Sequence, residues 1–264
     1  MECEVSLILP AYNEVARIAG TISEAVRYFE GRNTTYEIIV AADGGDGTRE
    51  KAREMARSNP AIRVIGENAR RGKGRGIREA VEIAGGRIVG FADADNKVPI
   101  GEFDKIEALL QAGIPVVIGS RALGTSRVER RQPWYRHYGA KGFRVFMRAA
   151  VGLWNVSDTQ CGFKFFPREV ARQLFSLQKI DGYMYDVEIL TIASKIGYEI
   201  REVPIRWRDD ADSRLDLVAG NIRNVVDIFK IRMGTLGLRQ EKVPFDAIAS
   251  EESELARRAG EGAA

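Results

Sequence analysis

An apolar run from Arg87 to Ala92 leads straight into Asp93-Ala94-Asp95-Asn96. Carboxylates brought together at the end of a buried strand repel one another unless a cation stands between them. Hard oxygen donors of this kind suit Mg²⁺ or Mn²⁺ holding a diphosphate. In a solvated surface turn the same Asp-x-Asp would carry no chemistry, so its meaning depends on where the strand ends. Three further segments have the composition of ligand-facing loops. Pro10-Ala11-Tyr12-Asn13-Glu14 closes the first apolar run; proline is expected to stop the ladder, and Asn13 to cap a helix with Glu14 in its first turn. Ala42-Asp43-Gly44-Gly45-Asp46-Gly47-Thr48 closes the second, with glycines that permit a tight turn and close backbone approach. Asp43 would project from that strand end, although a plain turn with an Asx cap explains the residues as well. Arg70-Arg71-Gly72-Lys73-Gly74-Arg75-Gly76 precedes a helical pattern but lacks the GxxxxGK[ST] spacing, with Ile77 beyond the last glycine. Lys73 near a helix N-terminus either approaches anionic ligand atoms or belongs to an exposed basic turn.

These loops need elements to position them, and hydrophobic periodicity supplies the candidates. Val5 to Leu9, Tyr36 to Ala41, Ile62 to Ile65, Arg87 to Ala92 and Ile114 to Gly119 read as buried strands. Between them, helical spacing joins Ile18, Ile22, Ala25, Val26 and Phe29. It recurs in Ala52, Met55 and Ala56, in Ile77, Ala80, Val81 and Ala84, and in Phe103, Ile106, Leu109 and Leu110. Strand alternating with helix predicts an α/β domain, Rossmann-like, with a mainly parallel sheet and helices on both faces. Ligands of such sheets bind at the carboxyl ends of the strands. Beyond Gly119 come a basic stretch from Arg121 to Arg148, then 158–166, a helix near 184–196, a strand near 199–207 and a helix from about 217 to 233. One domain over 1–236 is expected, with a donor half (1–120) and an acceptor half (121–236). The tail over 237–264, without an apolar face, is expected to be mobile.

Composition removes several classes of function. With 264 residues, 45% hydrophobic and 29% charged, the chain can bury a sizeable core and is neither disordered nor a small stapled scaffold. Two cysteines, Cys3 and Cys161, and one histidine, His137, are too few for a structural zinc site. Cys161 reads as a packing residue, His137 as a surface or satisfied polar residue, and Trp207 as a wall of the site or part of the core. A formal charge of +3 is too near neutrality to indicate nucleic acid. No apolar run is long enough to span a bilayer and MECEVSLILP lacks a basic leader, so a cytoplasmic address is expected. Arginines and lysines from Arg121 to Arg148 are interleaved with Trp134, Tyr135, Tyr138, Phe143 and Phe146. They suit RNA, an anionic lipid surface, or simply buried rings with solvated charges; a metal motif favours lipid over RNA. Ile222, Val225, Val226, Phe229 and Met233 give the last helix a face for a membrane or for the domain.

Taken in order, LILPAYNE (7–14), YEIIVAADGGDGT (36–48), RRGKGRGI (70–77), FADAD (91–95), IGSRAL (118–123), DTQCGFKFF (158–166), YDVEIL (185–190) and DSRL (212–215) resemble the family 2 glycosyltransferases of the GT-A fold. Within them the resemblance is closest to the dolichyl-phosphate glucosyltransferase and dolichol-phosphate mannose synthase group. It implies a metal-dependent, inverting transfer of glucose from UDP-glucose to a polyprenyl phosphate, releasing UDP, at the cytoplasmic membrane face. Pro10, Tyr12, Glu14 and Asp43 then match positions lining base and ribose, and Lys73 a basic residue of the nucleotide pocket. Asp93-Ala94-Asp95 matches the metal motif, with Asp95 as direct ligand, Asp93 assisting and Gln160 beside metal and donor. Arg121, Arg131 and Arg214 match positions handling donor diphosphate or acceptor phosphate. Asp186 falls where relatives keep an acid near sugar and acceptor; it would orient a hydroxyl, act as base toward an alcohol, or only stabilise its helix terminus. Two departures stand out: the loop at Ala42-Asp43-Gly44-Gly45 is a residue short, and Asn96-Lys97 follows the metal triplet. GDP-mannose as donor, a soluble acceptor, or a nucleotide-sugar or RNA-binding module without catalysis are the alternatives.

Overall fold

Burial along the first strand establishes the layers. The computed structural model describes residues 3–128, 147–208 and 219–245. In β1 (Cys3–Tyr12), Val5, Leu7 and Leu9 enter one apolar cluster and Ile8 the other, as a period of two requires of a strand covered on both faces. On the Val5 face lie α1 (Ile18–Gly31), α2 (Thr48–Ser58) and α4 (Phe103–Gln111), through Ile18, Ile22, Phe29, Ala52, Phe103 and Ile106. The Ile8 face receives α3 (Lys73–Ile83), α5 (Arg168–Ser176), α6 (Tyr185–Ile196) and α7 (Ala219–Thr235). Each fully buried Phe, Leu or Ile contributes about 1.5–3 kcal/mol of hydrophobic stabilisation.

The remaining strands are β2 (Tyr36–Asp43), β3 (Ile62–Ile65), β4 (Gly86–Ala92), β5 (Val116–Ser120), β6 (Arg127–Val128), β7 (Phe163–Pro167), β8 (Ile200–Pro204) and β9 (Arg206–Trp207). Six of them join β1 in one seven-stranded sheet, in the order β3-β2-β1-β4-β7-β5-β8; β6 and β9 pair separately. All neighbours in the large sheet are parallel except β7, which runs antiparallel to both β4 and β5. The expected α/β architecture is therefore present.

Several local expectations are corrected. Pro10 does not end β1: pairing with β2 continues to Tyr12, while pairing with β4 ends at Ile8. A proline is tolerated where one side of the strand no longer has a ladder. Asn13 is not a helix cap; it takes a left-handed φ of 56°, and α1 begins only at Ile18. The Glu14 N–H donates instead to Thr48 Oγ1 at 2.8 Å, and the Val15 N–H to Asp46 Oδ2 at 3.1 Å, tying the first loop to the second. The tail is not featureless as far as Phe245. Val243 and Phe245 pack against the core, and the Val243 N–H donates to the Tyr198 hydroxyl at 2.8 Å. Arg131, Arg214, His137 and the rings from Trp134 to Phe146 lie outside the described residues.

Gly90 is where the centre of the sheet is tightest. A Cβ there would stand 2.0 Å from Phe165 Cδ1. The Phe165 ring cannot retreat, being wedged between Phe103 and Phe163 with centroids 4.9 Å away on each side. Gly90→Ala is expected to cost about 1–3 kcal/mol by overpacking, lowering Tm by about 2–10 °C, with Phe165→Leu in the same chain recovering part of it. An unchanged Tm in a thermal melt would show that the strands can part there.

Candidate active site

Strands β1, β2 and β4 end side by side, so Tyr12, Asp43 and Asp93 emerge at one edge of the sheet, next to the switch in strand order. The direction of β7 brings a fourth segment to the same edge. Being antiparallel, it starts where its neighbours finish, so residues 158–162 arrive there; the Asp93 N–H donates to the Gly162 carbonyl at 3.1 Å. Ala94 is buried, and its carbonyl accepts the Thr21 hydroxyl at 2.8 Å, anchoring the triplet between its two acids.

Alternating charges organise the interior of the site. Lys73, in the first turn of α3, places Nζ 2.5 Å from Asp93 Oδ1. Lys164, the second residue of β7, places Nζ 2.5 Å from Asp186 Oδ1 and also donates to the Cys161 carbonyl at 2.5 Å. Lys164 has no exposed surface and Asp186 is 4% exposed. Burial raises the Asp186 carboxyl pKa, against the opposing pull of the Lys164 and Lys73 charges. For Lys73, burial disfavours the ammonium, but Asp93 and Asp186 outweigh it and the pKa rises above the ordinary lysine value. Sequence reasoning passed over Lys164. The signal was a lysine in the otherwise apolar strand 163–167, where a charge is tolerated only with a buried partner.

A second ion pair joins the end of β5 to the segment before β7. The Arg121 guanidinium donates to both Asp158 oxygens, Nε at 2.7 Å and Nη2 at 2.9 Å, and its backbone N–H adds a bond at 3.0 Å. Burial works against the Asp158 carboxylate, yet Arg121 outweighs it and the pKa is lowered. Arg121 also stacks on Trp207, 4.7 Å from the ring centroid. Arg121 thus reaches the site as half of an ion pair that sequence reasoning had not foreseen. Asp95 meets Lys97, Nζ to Oδ2 at 3.1 Å. Gln160 is exposed between these groups along the chain, and Cys161 is fully buried, its thiol pKa pushed up to about 12 by burial.

The loops after β1, β2 and β3 hold one another. Asp43 accepts the N–H of Arg71 at 2.8 Å and of Glu67 at 3.3 Å, fixing the basic loop over the end of β2. Tyr12 is 41% exposed with the Arg70 guanidinium 4.4 Å above its ring. The glycines of the basic loop serve contact more than freedom: a Cβ on Gly74 would lie 2.6 Å from both the Ile180 carbonyl and Tyr185 Cβ. That close approach seats Lys73 beside Asp93. Pro10 is buried in β1, and Glu14 is partly buried with Oε2 3.4 Å from Arg17.

Among the described residues no three His, Cys, Asp or Glu side chains converge as a metal cage. Asp93 and Asp95 nevertheless fit a hard divalent ion of the kind that keeps its waters and takes substrate phosphate oxygens, which needs one or two carboxylates only. The Lys73 and Lys97 ammonium groups stand at those carboxylates.

Residues 6–175 match the family described as Glycosyl transferase family 2. The chain belongs to this family. It is therefore a glycosyltransferase. A relative from Trichomonas vaginalis, named dolichyl-phosphate beta-glucosyltransferase, is 34% identical over 87% of this chain and 71% of its own length. Those of the same name from Dictyostelium discoideum and Saccharomyces cerevisiae are each 30% identical, over 86% and 89% of this chain and 73% and 76% of theirs. Among solved structures, mannosyl-3-phosphoglycerate synthase from Rubrobacter xylanophilus superposes with a TM-score of 0.67 at 19% identity, covering 92% of this chain and 78% of that one. Glucosyl-3-phosphoglycerate synthase from Mycobacterium tuberculosis, in complex with Mn²⁺, UDP-glucose and phosphoglyceric acid, gives 0.63 at 21% identity, covering 92% and 83%. The fold of this glycosyltransferase is GT-A.

Lys164→Met leaves Asp186 buried without its nearest counter-charge and is expected to lose about 3–5 kcal/mol in denaturant unfolding; Lys164→Met with Asp186→Leu recovers most of it. Equal losses in the single and double variants would refute the pairing. The Asp158 carboxyl has a folded pKa below its unfolded value of about 3.9. Its pair with Arg121 therefore stabilises the fold above that value, and the contribution disappears as pH falls through the folded pKa. Asp158→Asn is expected to flatten the acid limb of a Tm-versus-pH curve.

Proposed function

We propose that this glycosyltransferase moves glucose from UDP-glucose to a polyprenyl (dolichyl) phosphate, inverting the anomeric carbon, with Mg²⁺ or Mn²⁺. The observation that carries the reading is the likeness, at 30–34% identity over most of the chain, to relatives named for that activity. The site chemistry supports it independently. A phosphate monoester has its second pKa near ~6, so the acceptor is already largely ionised at neutral pH and needs placement, not deprotonation. A phosphate oxygen attacks the anomeric carbon while that carbon's bond to the diphosphate oxygen breaks, and UDP leaves with the electron pair. Asp186, pinned by Lys164 under the Lys73–Asp93 pair, is a counter-ion in this scheme and no base is required of it.

Tyr12 and Asp43, at adjacent strand ends, would line the nucleoside, with Pro10 and Glu14 holding that corner. Asp95, with Asp93 and Gln160, would hold the divalent ion, which supplies charge to stabilise the departing diphosphate. Lys73 adds positive charge beside the same group; Arg121, Arg131 and Arg214 would serve donor diphosphate or acceptor phosphate. Contact with a membrane belongs to the same proposal. On α7, Ile228 and Ile231 are buried while Val226, Phe229 and Met233 are exposed, with Arg232 beside them. Among the described residues no helix is long and apolar enough to cross a bilayer, so such contact would be made from the surface, at the cytoplasmic face.

UDP release from UDP-glucose with Mn²⁺ or Mg²⁺ is expected only when a short polyprenyl phosphate is present. GDP-mannose as donor and 3-phosphoglycerate as acceptor should give none. Asp95→Ala is expected to lower the rate by about 10²–10³-fold with an unchanged circular dichroism spectrum. Release with the soluble acceptor alone would overturn the acceptor, and full turnover in Asp95→Ala the metal assignment.

A further inference from the structure

Lys97 engages both oxygens of the carboxylate through which a divalent ion would be held. Its ammonium lies 3.1 Å from Asp95 Oδ2, and its backbone N–H donates to Asp95 Oδ1 at 3.3 Å. The placement is built and not a chance surface encounter. The side chain is 13% exposed, the ammonium stands 5.9 Å from the centroid of Trp207, and the Lys97 carbonyl accepts the Arg208 N–H at 2.8 Å. The same indole carries the Arg121 guanidinium, so two cations share one aromatic wall.

An ammonium and a divalent ion cannot occupy the same carboxylate oxygen. Lys73 has two acids near it, Asp93 and Asp186. Among the described residues Lys97 forms its ion pair with Asp95 alone. A metal entering at Asp95 therefore strands the Lys97 ammonium next to a dication, which repels it, unless another anion arrives to receive it. The diphosphate of a nucleotide is such an anion, and Trp207 keeps the displaced ammonium within the site to meet it.

We propose that Lys97 is a tethered counter-ion that guards Asp95 and thereby couples divalent-metal binding to nucleotide-diphosphate binding, each favouring the other. The proposal rests on the reading of this site as one for metal and nucleotide. It requires no acceptor and no turnover. Coupling of this kind is reciprocal, so either ligand reports it.

The experiment is calorimetric titration of Mn²⁺, with and without saturating UDP, into the wild-type protein, Lys97→Met and Lys97→Arg, with thermal melts confirming that each is folded. Lys97→Met is expected to bind Mn²⁺ alone about three- to tenfold more tightly than wild type, the range expected for removing a partly buried competing charge. UDP should then tighten Mn²⁺ less than it does in wild type, and Lys97→Arg should keep the wild-type coupling. In an Asp95→Asn background the gain from Lys97→Met should vanish. Wild type binding both ligands, with Lys97→Met showing unchanged or weaker affinity for Mn²⁺ alone, would overturn the proposal while leaving the site reading intact. Wild type binding neither Mn²⁺ nor UDP would overturn both.

Discussion

Lys164 has no exposed surface, yet it occupies a strand paired on both sides, and the candidate active site is arranged around satisfying that charge. A buried ammonium is tolerated only where a carboxylate and further acceptors meet it. Asp186 and the Cys161 carbonyl do so here, which constrains the start of α6 and the turn before β7. From that pair the charges alternate outward, to Lys73, to Asp93, and through the triplet to Asp95 and Lys97. The interior end of the network is buried, and its outer end, at Asp95 and Lys97, is partly exposed.

The direction of β7 is what makes this network possible. A parallel strand at that position would deliver residues 158–162 to the far end of the sheet, away from Asp93. Running antiparallel, β7 brings Asp158 and Lys164 to the strand ends, where Asp158 receives Arg121 from the end of β5. Pairing of β7 with β4 thereby joins the later part of the chain to the sheet built by its first part. The Gly74 contact does similar work on the opposite side, bringing α3 so close to the 180–185 turn that Lys73 is set beside Asp93.

Such a site suits the proposed reaction, in which both partners are anions before chemistry begins. Lys73, Lys97, Arg121 and Lys164 are each balanced in the protein by a carboxylate, so in the proposed reaction substrate phosphates and a divalent ion would enter by exchanging partners. Exchange of this kind would keep desolvated charge paired at each stage, and in the proposed reaction the buried Asp186 serves as a counter-ion.

The alternating fold, the carboxyl-end location of the site and the Asp93-Ala94-Asp95 motif were legible in the sequence, because each follows from local pattern: a period of two or 3.6, and acids directly after an apolar run. The burial of Cys161 was legible too, from its lack of partners. Other features were decided by tertiary structure. Pro10 within β1 depends on which flank of the strand loses its partner, and the late start of α1 on Asp46 and Thr48, more than thirty residues away. The partners of Lys164, Arg121 and Lys97 come from different elements, and no spacing rule relates residues 121 and 158 or 164 and 186. Periodicity reports how one segment meets its neighbours in sequence. An ion pair reports where two segments end in space, and here that was set by strand order and by the reversed direction of β7.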